Sequence, residues 1–375
     1  MSGIYIHIPF CKKACHYCNF HFSTSLKLKD EMISAICKEI ELRKNYLKDK
    51  TLNSVYFGGG TPSLLEWQDL ERIFQKIASV YTIKHDAEIT LEANPDDINS
   101  QTLSCFRKVG INRLSLGIQS FFDEDLLWMN RAHSAFEAHN SILLAQDVGY
   151  DNITIDLIYG SPTTTDDMWL TNIEKTLKLD IPHISAYCLT VEENTALHHF
   201  IAKKNITPPE PEKAVSQFDV MIHTLQETGF LHYEISNFAK SGYEAVHNSN
   251  YWKGHQYIGI GPSAHSYDGN SRSWNISHNK KYIDALASDD FYPETEYLTL
   301  AMKYNEYVMT SLRTMWGINL NDIASFGKDI ESFFLSEAEK AIEKEMIIFE
   351  NNYYKLSHKG KHFADQVAME MFFIE

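Results

Sequence analysis

The sequence predicts an α/β protein: a partial, open (β/α)6 barrel followed by a C-terminal, mostly helical, winged-helix-like domain. Two observations carry this. Six short β-rich runs alternate with amphipathic helical patterns over the first half of the chain, and βα units in series mean a parallel sheet. Several of those runs also end on polar or glycine-rich segments, and a parallel barrel gathers such ends on one rim. Six units fall short of the eight of a closed barrel, and a doubly wound open sheet is the alternative. At 375 residues the chain has room for one large α/β domain and a smaller one.

In chain order, the β-rich runs are 3–8, 54–57, 88–91, 113–116, 152–158 and 183–189. The first helical pattern, 29–48, places apolar Met32, Ile33, Ile36, Ile40 and Leu47 at helical spacing, one stripe of a half-buried helix. The segments 66–80, 100–108, 135–148 and 166–179 read the same way. After Leu189 the alternation stops. Segment 203–212, with Pro208, Pro209 and Pro211, is a connector, and a helix over 211–227 follows. The stretch 232–274, rich in aromatics, histidine and glycine, is too irregular for a simple helix or strand. Helices are expected at 296–315, 319–325 and 330–345. The chain then makes a strand-turn-strand, 347–349 and 353–356, and a last helix. This gives a core over 1–230, a connecting segment over 231–295 and a C-terminal domain over 296–375.

Composition narrows the function. Lys and Arg total 34 against 50 Asp and Glu, a formal charge of −16. That weighs against a dominant nucleic-acid role, which needs a basic surface, and against a polybasic membrane anchor. No run of about 20 apolar residues predicts a membrane span. The start of the sequence lacks the basic and apolar regions of a signal peptide, so a cytoplasmic protein is expected. Six cysteines in a large chain of that kind do not read as a disulfide framework. Cys37, Cys105 and Cys188 sit in apolar surroundings and read as small core residues.

The other three fall within eight residues: Cys11, Cys15 and Cys18 directly follow the first β-run. Closely spaced thiolates suit a soft metal, either zinc or an iron–sulfur cluster. A structural zinc needs a fourth ligand, for which His16 or His21 stands nearby. A four-iron cluster on three thiolates instead leaves one iron open. At the ends of later runs come Gly58-Gly59-Gly60-Thr61, Glu92, Gln119 and Asp156. Glycines allow close backbone approach. Arg131 can pair with a carboxylate.

Assembled, these residues resemble the coproporphyrinogen dehydrogenase-like (HemN/HemW) branch of the radical S-adenosylmethionine (radical SAM) proteins. The landmarks are IYIHIPFCKKACHYCNF, VYFGGGTPS, TLEANP, RLSLGIQSF, LWMNRAHS, ITIDLIYGSP, HISAYCLT and YEISNFA, from Ile4 nearly to the C-terminus. The resemblance implies a [4Fe–4S] cluster on Cys11, Cys15 and Cys18. Its open iron would chelate SAM, which one electron cleaves to a 5′-deoxyadenosyl radical. It also implies Tyr5, Gly59, Gly60, Thr61 and Glu92 around SAM, with Tyr17, Gln119, Arg131 and Asp156 lining the region of a second SAM.

Two departures separate the chain from the dehydrogenases. Those resemble CxxxCxxCxC, whereas Phe20 fills the last position here; they also carry a longer N-terminal extension. Both departures are similar to the heme chaperone branch, as is the HNSNYW segment beginning at His247. A histidine can ligate heme iron axially, and Tyr251 and Trp252 can stack on a macrocycle. The other reading makes His247 a hydrogen-bonding residue in a segment that closes the barrel. The resemblance thus implies a chaperone binding cluster, SAM and heme b. It would deliver heme to heme proteins such as respiratory enzymes, some of them membrane-associated. An electron donor and a homodimer belong to the same picture. The alternatives are oxygen-independent decarboxylation of coproporphyrinogen III and a radical SAM reaction on another substrate.

Overall fold

The computed structural model describes residues 2–204 and 206–374. Strands β1 (Ser2–Ile8), β2 (Thr51–Gly59), β3 (Thr82–Ala93), β4 (Arg113–Gln119), β5 (Ile153–Tyr159) and β6 (His183–Cys188) lie side by side in chain order. Each neighbouring pair is parallel. Between them run α1 (Lys29–Leu42), α2 (Trp67–Val80), α3 (Ser100–Lys108), α4 (Asp123–Trp128), α5 (Ala135–Asp147) and α6 (Asp166–Lys178). After β6 come α7 (Ala196–Ala202) and α8 (Pro211–Glu227). A doubly wound sheet reverses its strand order at a switch point. This order never reverses, so right-handed crossovers put every helix on one face. The barrel expectation holds and the doubly wound alternative falls.

Alternation along the strands divides the sheet into two faces. Ile4, Ile6 and Ile8 of β1, with Leu114, Leu116 and Ile118 of β4, are buried in one core with helix residues such as Met32, Ile36, Leu70 and Ile142. The intervening positions, Tyr5 and His7 on β1, Glu92 on β3, Ser115 on β4 and Asp156 on β5, occupy the opposite, inner face. That face is therefore polar, and it ends in the loops that hold the site. Local signals set the helix starts. Ser134 accepts from Glu137 N ahead of α5, and Asn99 accepts from Gln101 N and Thr102 N ahead of α3, each a capping arrangement.

The stretch 232–274 corrects the sequence expectation. It contains β7 (Leu231–Glu234), β8 (Asn237–Ala239), helix α9 (Val246–Trp252), β9 (Gln256–Ile260), β10 (His265–Tyr267) and β11 (Ser271–Trp274). Strands this short carry too few positions for a period of two to show. Glycine also packs them: a Cβ on Gly259 would lie 2.0 Å from the His265 carbonyl oxygen. These strands extend both edges of the sheet. β8 pairs antiparallel with β6, and β9 pairs parallel with β1. Helix α10 (Asn279–Ala287) and β12 (Glu294–Tyr297) follow, β12 pairing with β11 at the edge. That pairing, and the cap in which Thr299 accepts from Met302 N, explain why the helix expected from 296 begins only at Leu300.

The C-terminal part comprises α11 (Leu300–Leu312), β13 (Ile318–Asn319), α12 (Leu320–Ala324), α13 (Lys328–Glu343), β14 (Ile347–Glu350), β15 (Tyr353–Leu356), α14 (His358–Lys361) and α15 (Ala364–Glu370). Helices followed by an antiparallel hairpin give the winged shape. The part has its own core around Tyr304, Val308, Phe334 and Ile347. Among the described residues no helix is long and apolar enough to cross a membrane.

Candidate functional site

The cysteine loop leaves β1 and is closed at its base. Cys11 N donates to Ser23 O at 3.0 Å, and Ser23 N to Pro9 O at 2.9 Å. The connection between α4 and α5 holds its far side: His16 N donates to Met129 O at 3.1 Å, and Asn130 Nδ2 to Ala14 O at 2.7 Å. Lys12 pairs with Asp96 at 2.8 Å and with Asp97. The loop is thus set by contacts to three other parts of the chain.

Its three thiols are free, partly exposed and line a single cavity of about 420 Å³. Burial pushes the Cys11 thiol up to about 11, with Thr61 opposing and Cys18 and Cys15 adding to the rise. Burial likewise raises Cys18. Thiolates crowded this way want a cationic partner. Which partner follows from spacing. Donors on one tetrahedral zinc lie about 3.8 Å apart for Zn–S bonds of about 2.3 Å. Among the described residues, no three donors that include these cysteines come within 4.8 Å of one another. A single ion is therefore too small, and a multi-iron cluster, with a separate iron for each sulfur, fits. His16 and His21 complete no zinc site: His16 Nδ1 lies 2.8 Å from Trp128 O, and His21 Nε2 2.7 Å from Asn279 Oδ1.

The glycine segment after β2 lies against the root of this loop. Gly60 N donates to Ile8 O at 2.9 Å and Thr61 N to Phe10 O at 2.7 Å. A Cβ on Gly60 would meet Phe10 O at 2.6 Å and Ile8 O at 2.7 Å; Gly59, at φ +106°, has the His7 ring equally close. These glycines admit neighbouring chain as well as any ligand, a constraint the sequence reading missed.

Behind them, Glu92 accepts Tyr56 Oη at 2.8 Å and Gly59 N at 3.1 Å. Burial pushes its carboxyl up to about 7, opposed by the Tyr56 hydroxyl and reinforced by Asp156. Asp156 is pushed up to about 6 by burial, with Arg113 and Arg131 opposing. Arg131 reaches across the site. Its Nη1 lies 3.3 Å from Cys15 Sγ and 3.5 Å from Tyr17 Oη, while Nη2 donates to Asn94 Oδ1 at 2.7 Å and Gly117 O at 2.9 Å. Gln119 sits at φ +63°, where β4 slips register against β5. A left-handed non-glycine residue of this kind costs roughly 1–3 kcal/mol and concentrates at functional sites.

All the expected site residues line this cavity except Tyr5 and His247. Tyr5 lies deeper in the barrel, its hydroxyl 3.2 Å from His7 Nδ1 and its ring stacked on Tyr56 at 6.0 Å. The structure does not bring His247 to the cavity. It is 2% exposed on α9, with Nδ1 2.9 Å from Ser54 Oγ, Nε2 3.0 Å from Tyr251 Oη and its ring 5.1 Å from that of Tyr56. Both ring nitrogens are engaged, so neither is offered to a heme iron. Burial, with the charge of Arg113, lowers its pKa to about 3. The same helix closes the barrel, Glu88 accepting Val246 N and His247 N at 2.8 Å each. Sequence reasoning did not single out Asn94, which joins Arg131 to Thr61 through Oδ1 and Nδ2; its signal was a polar residue before Pro95 at a strand end.

An open parallel barrel with three cluster-spaced thiols on its rim is the arrangement of radical SAM proteins, and residues 5–175 match the radical SAM superfamily. The chain is 33% identical to the heme chaperone HemW of Bacillus subtilis over 371 residues, covering 98% of each. It is 31% identical to the heme chaperone HemW of Mycobacterium tuberculosis, covering 98% of this chain and 93% of that one. The solved coproporphyrinogen III oxidase HemN of Escherichia coli shares the fold at a TM-score of 0.85 and 21% identity, covering 99% of this chain and 90% of that one. The chain belongs to the HemN/HemW family of radical SAM proteins, and membership implies a [4Fe–4S] cluster and SAM.

Proposed function

We propose that this protein is a heme chaperone, holding a [4Fe–4S] cluster, SAM and heme b and passing heme to client heme proteins such as respiratory enzymes. The observation that carries this reading is Phe20. It is 69% exposed beside the cavity, at the position where the decarboxylating branch has a further cysteine. An apolar edge of Phe20, Phe22 and Tyr187 suits the flat face of a macrocycle better than it suits thiol chemistry. The names of the two bacterial relatives support the same reading.

In this reading Cys11, Cys15 and Cys18 hold three irons. Gly59, Gly60, Thr61 and Glu92 face the SAM amino acid moiety, while Tyr17, Gln119, Arg131 and Asp156 line the region for a second SAM. Tyr5 and His247 shape the barrel beneath. When bound, the cluster and SAM supply one-electron chemistry. The protein's own part is to orient ligands and exclude water. Arg131 fixes the cavity wall through four contacts, and Glu92, once ionised, can accept a hydrogen bond from the SAM amino group. A cytoplasmic setting, an electron donor and a homodimer accompany the proposal.

The test is anaerobic. Cluster-loaded protein is given SAM, a strong reductant and coproporphyrinogen III, and is titrated with heme in parallel. A saturable heme Soret shift without protoporphyrinogen formation is expected. Conversion of the porphyrinogen would make the protein an oxidase instead. Neither signal would leave a radical SAM reaction on another substrate.

A further inference from the structure

Away from this cavity, where α8 meets the C-terminal part, three donors converge. Asp219 on α8 places Oδ1 2.9 Å from His362 Nε2 and 3.5 Å from His358 Nε2. The donor atoms of all three side chains lie within 4.8 Å of one another, the one such group among the described residues. His358 opens α14 and His362 follows its end, so a spacing of four puts both rings on the same side. The contacts are not hydrogen bonds. Asp219 Oδ1 is buried yet has no properly aligned donor, although an imidazole nitrogen stands at hydrogen-bond distance. Phe218 packs edge-on against the His362 ring at 5.3 Å, which holds that ligand in place. Lys361, the nearest cation in sequence, turns away to His232 Nδ1 at 3.1 Å. Among the described residues, Asp219 pairs with no lysine or arginine.

We infer that Asp219, His358 and His362 form a site for a first-row divalent ion of the zinc class, which ties the C-terminal part to the barrel. Two imidazoles and one carboxylate suit zinc and its neighbours, whereas magnesium and calcium favour all-oxygen sets. Donors about 3.3 Å apart satisfy a tetrahedral ion with bonds of about 2.0–2.1 Å, a value between the 2.9 and 3.5 Å that separate Asp219 Oδ1 from the two nitrogens. His358 is exposed and Asp219 partly so, leaving a side open for a water as fourth ligand. Because the ligands come from α8 and from the C-terminal part, the ion acts as a cross-link, and its binding energy adds to the stability of their docking.

The test uses the full chain with its iron–sulfur cluster loaded, so that the cluster thiols are already occupied. Zinc ion is titrated against a chromophoric chelator. One equivalent is expected, with affinity falling more than ~100-fold in the His358→Gln/His362→Gln variant, beyond the ~10–100-fold that loss of an outer-shell partner costs. The cluster absorbance should not change. Asp219→Asn should weaken binding without altering the metal-free thermal midpoint, which separates ligation from folding. Absence of a zinc equivalent, or an affinity unchanged in these variants, overturns the inference.

Discussion

Arg131 stands 3.3 Å from the Cys15 sulfur and at the same time donates to the Gly117 carbonyl at 2.9 Å. One guanidinium therefore ties the Cys15 sulfur to the end of β4 and, in the proposed function, the cluster to the region for a second SAM. Donors to ligating sulfurs raise cluster potentials. A charge-assisted hydrogen bond contributes about 1.5–3 kcal/mol, and about 1.4 kcal/mol is 59 mV for one electron. Arg131→Met should shift the midpoint potential down by on the order of 50–100 mV with the iron content retained, read by an anaerobic redox titration. Cys15→Ala should instead abolish the cluster absorbance.

Glu92 sets a pH dependence. Its carboxyl is pushed up to about 7, so it is mostly neutral below that pH and charged above it. The charged form accepts the stronger hydrogen bond from the SAM amino group. SAM affinity should fall as pH drops from about 8 to 6, by up to about tenfold per unit. Glu92→Gln should flatten that profile and weaken SAM roughly tenfold at pH 8. Calorimetric titration across the range checks both, and an unchanged profile in the variant would place the titrating group elsewhere.

Gly60 has no room to grow. The atoms a Cβ would strike, Phe10 O and Ile8 O, are backbone and cannot rotate away. Gly60→Ala should cost about 1–3 kcal/mol and displace the root of the cysteine loop. Denaturant midpoints and iron retention during gel filtration should fall together; loss of iron at unchanged stability would mean that the glycine serves a ligand alone.

Acid stability should report on His247. Its pKa is lowered to about 3 in the folded chain against about 6.5 when unfolded. Between those values only the unfolded state takes up the proton, so stability is full above about pH 6.5 and declines as pH falls. At pH 5 the loss from this residue is about 2 kcal/mol, from about 1.4 kcal/mol per pH unit. His247→Gln should be less stable at pH 7 but lose about 2 kcal/mol less between pH 7 and 5, measured by urea denaturation. An identical loss in both chains would mean that the ring is protonated in the fold.

The parts of this molecule legible in the sequence are those governed by local pattern. Ile4, Ile6 and Ile8 announce β1 through a period of two, and Ser100 to Lys108 announces α3 through its amphipathic pattern. The rim residues Glu92, Gln119 and Asp156 could be gathered because parallel strands in series must end together. What escaped depends on distant partners. For His247 ring chemistry left a heme ligand and a hydrogen-bonding, barrel-closing residue both open, and the choice between them rests on its engagement by Ser54 and Tyr251, which follows from how α9 seats under β2. The strands of 232–274 escaped because backbone contact at Gly259 replaces side-chain pattern.

The placement of β1 between β2 and β9 has a consequence for biogenesis. Tyr5 is flanked by Tyr56 on one side and Gly259 on the other, so β1 leaves the ribosome well before one of the two strands that complete it. At roughly 5–20 residues per second that wait is about 10–50 s. Throughout it one edge of β1 carries unpaired amides and carbonyls, a template for association between nascent chains. The cysteine loop spends the same interval on an unfinished foundation. Metal loading therefore belongs after release of the region around 256–260, and a chain stalled before that point is the aggregation-prone species to look for.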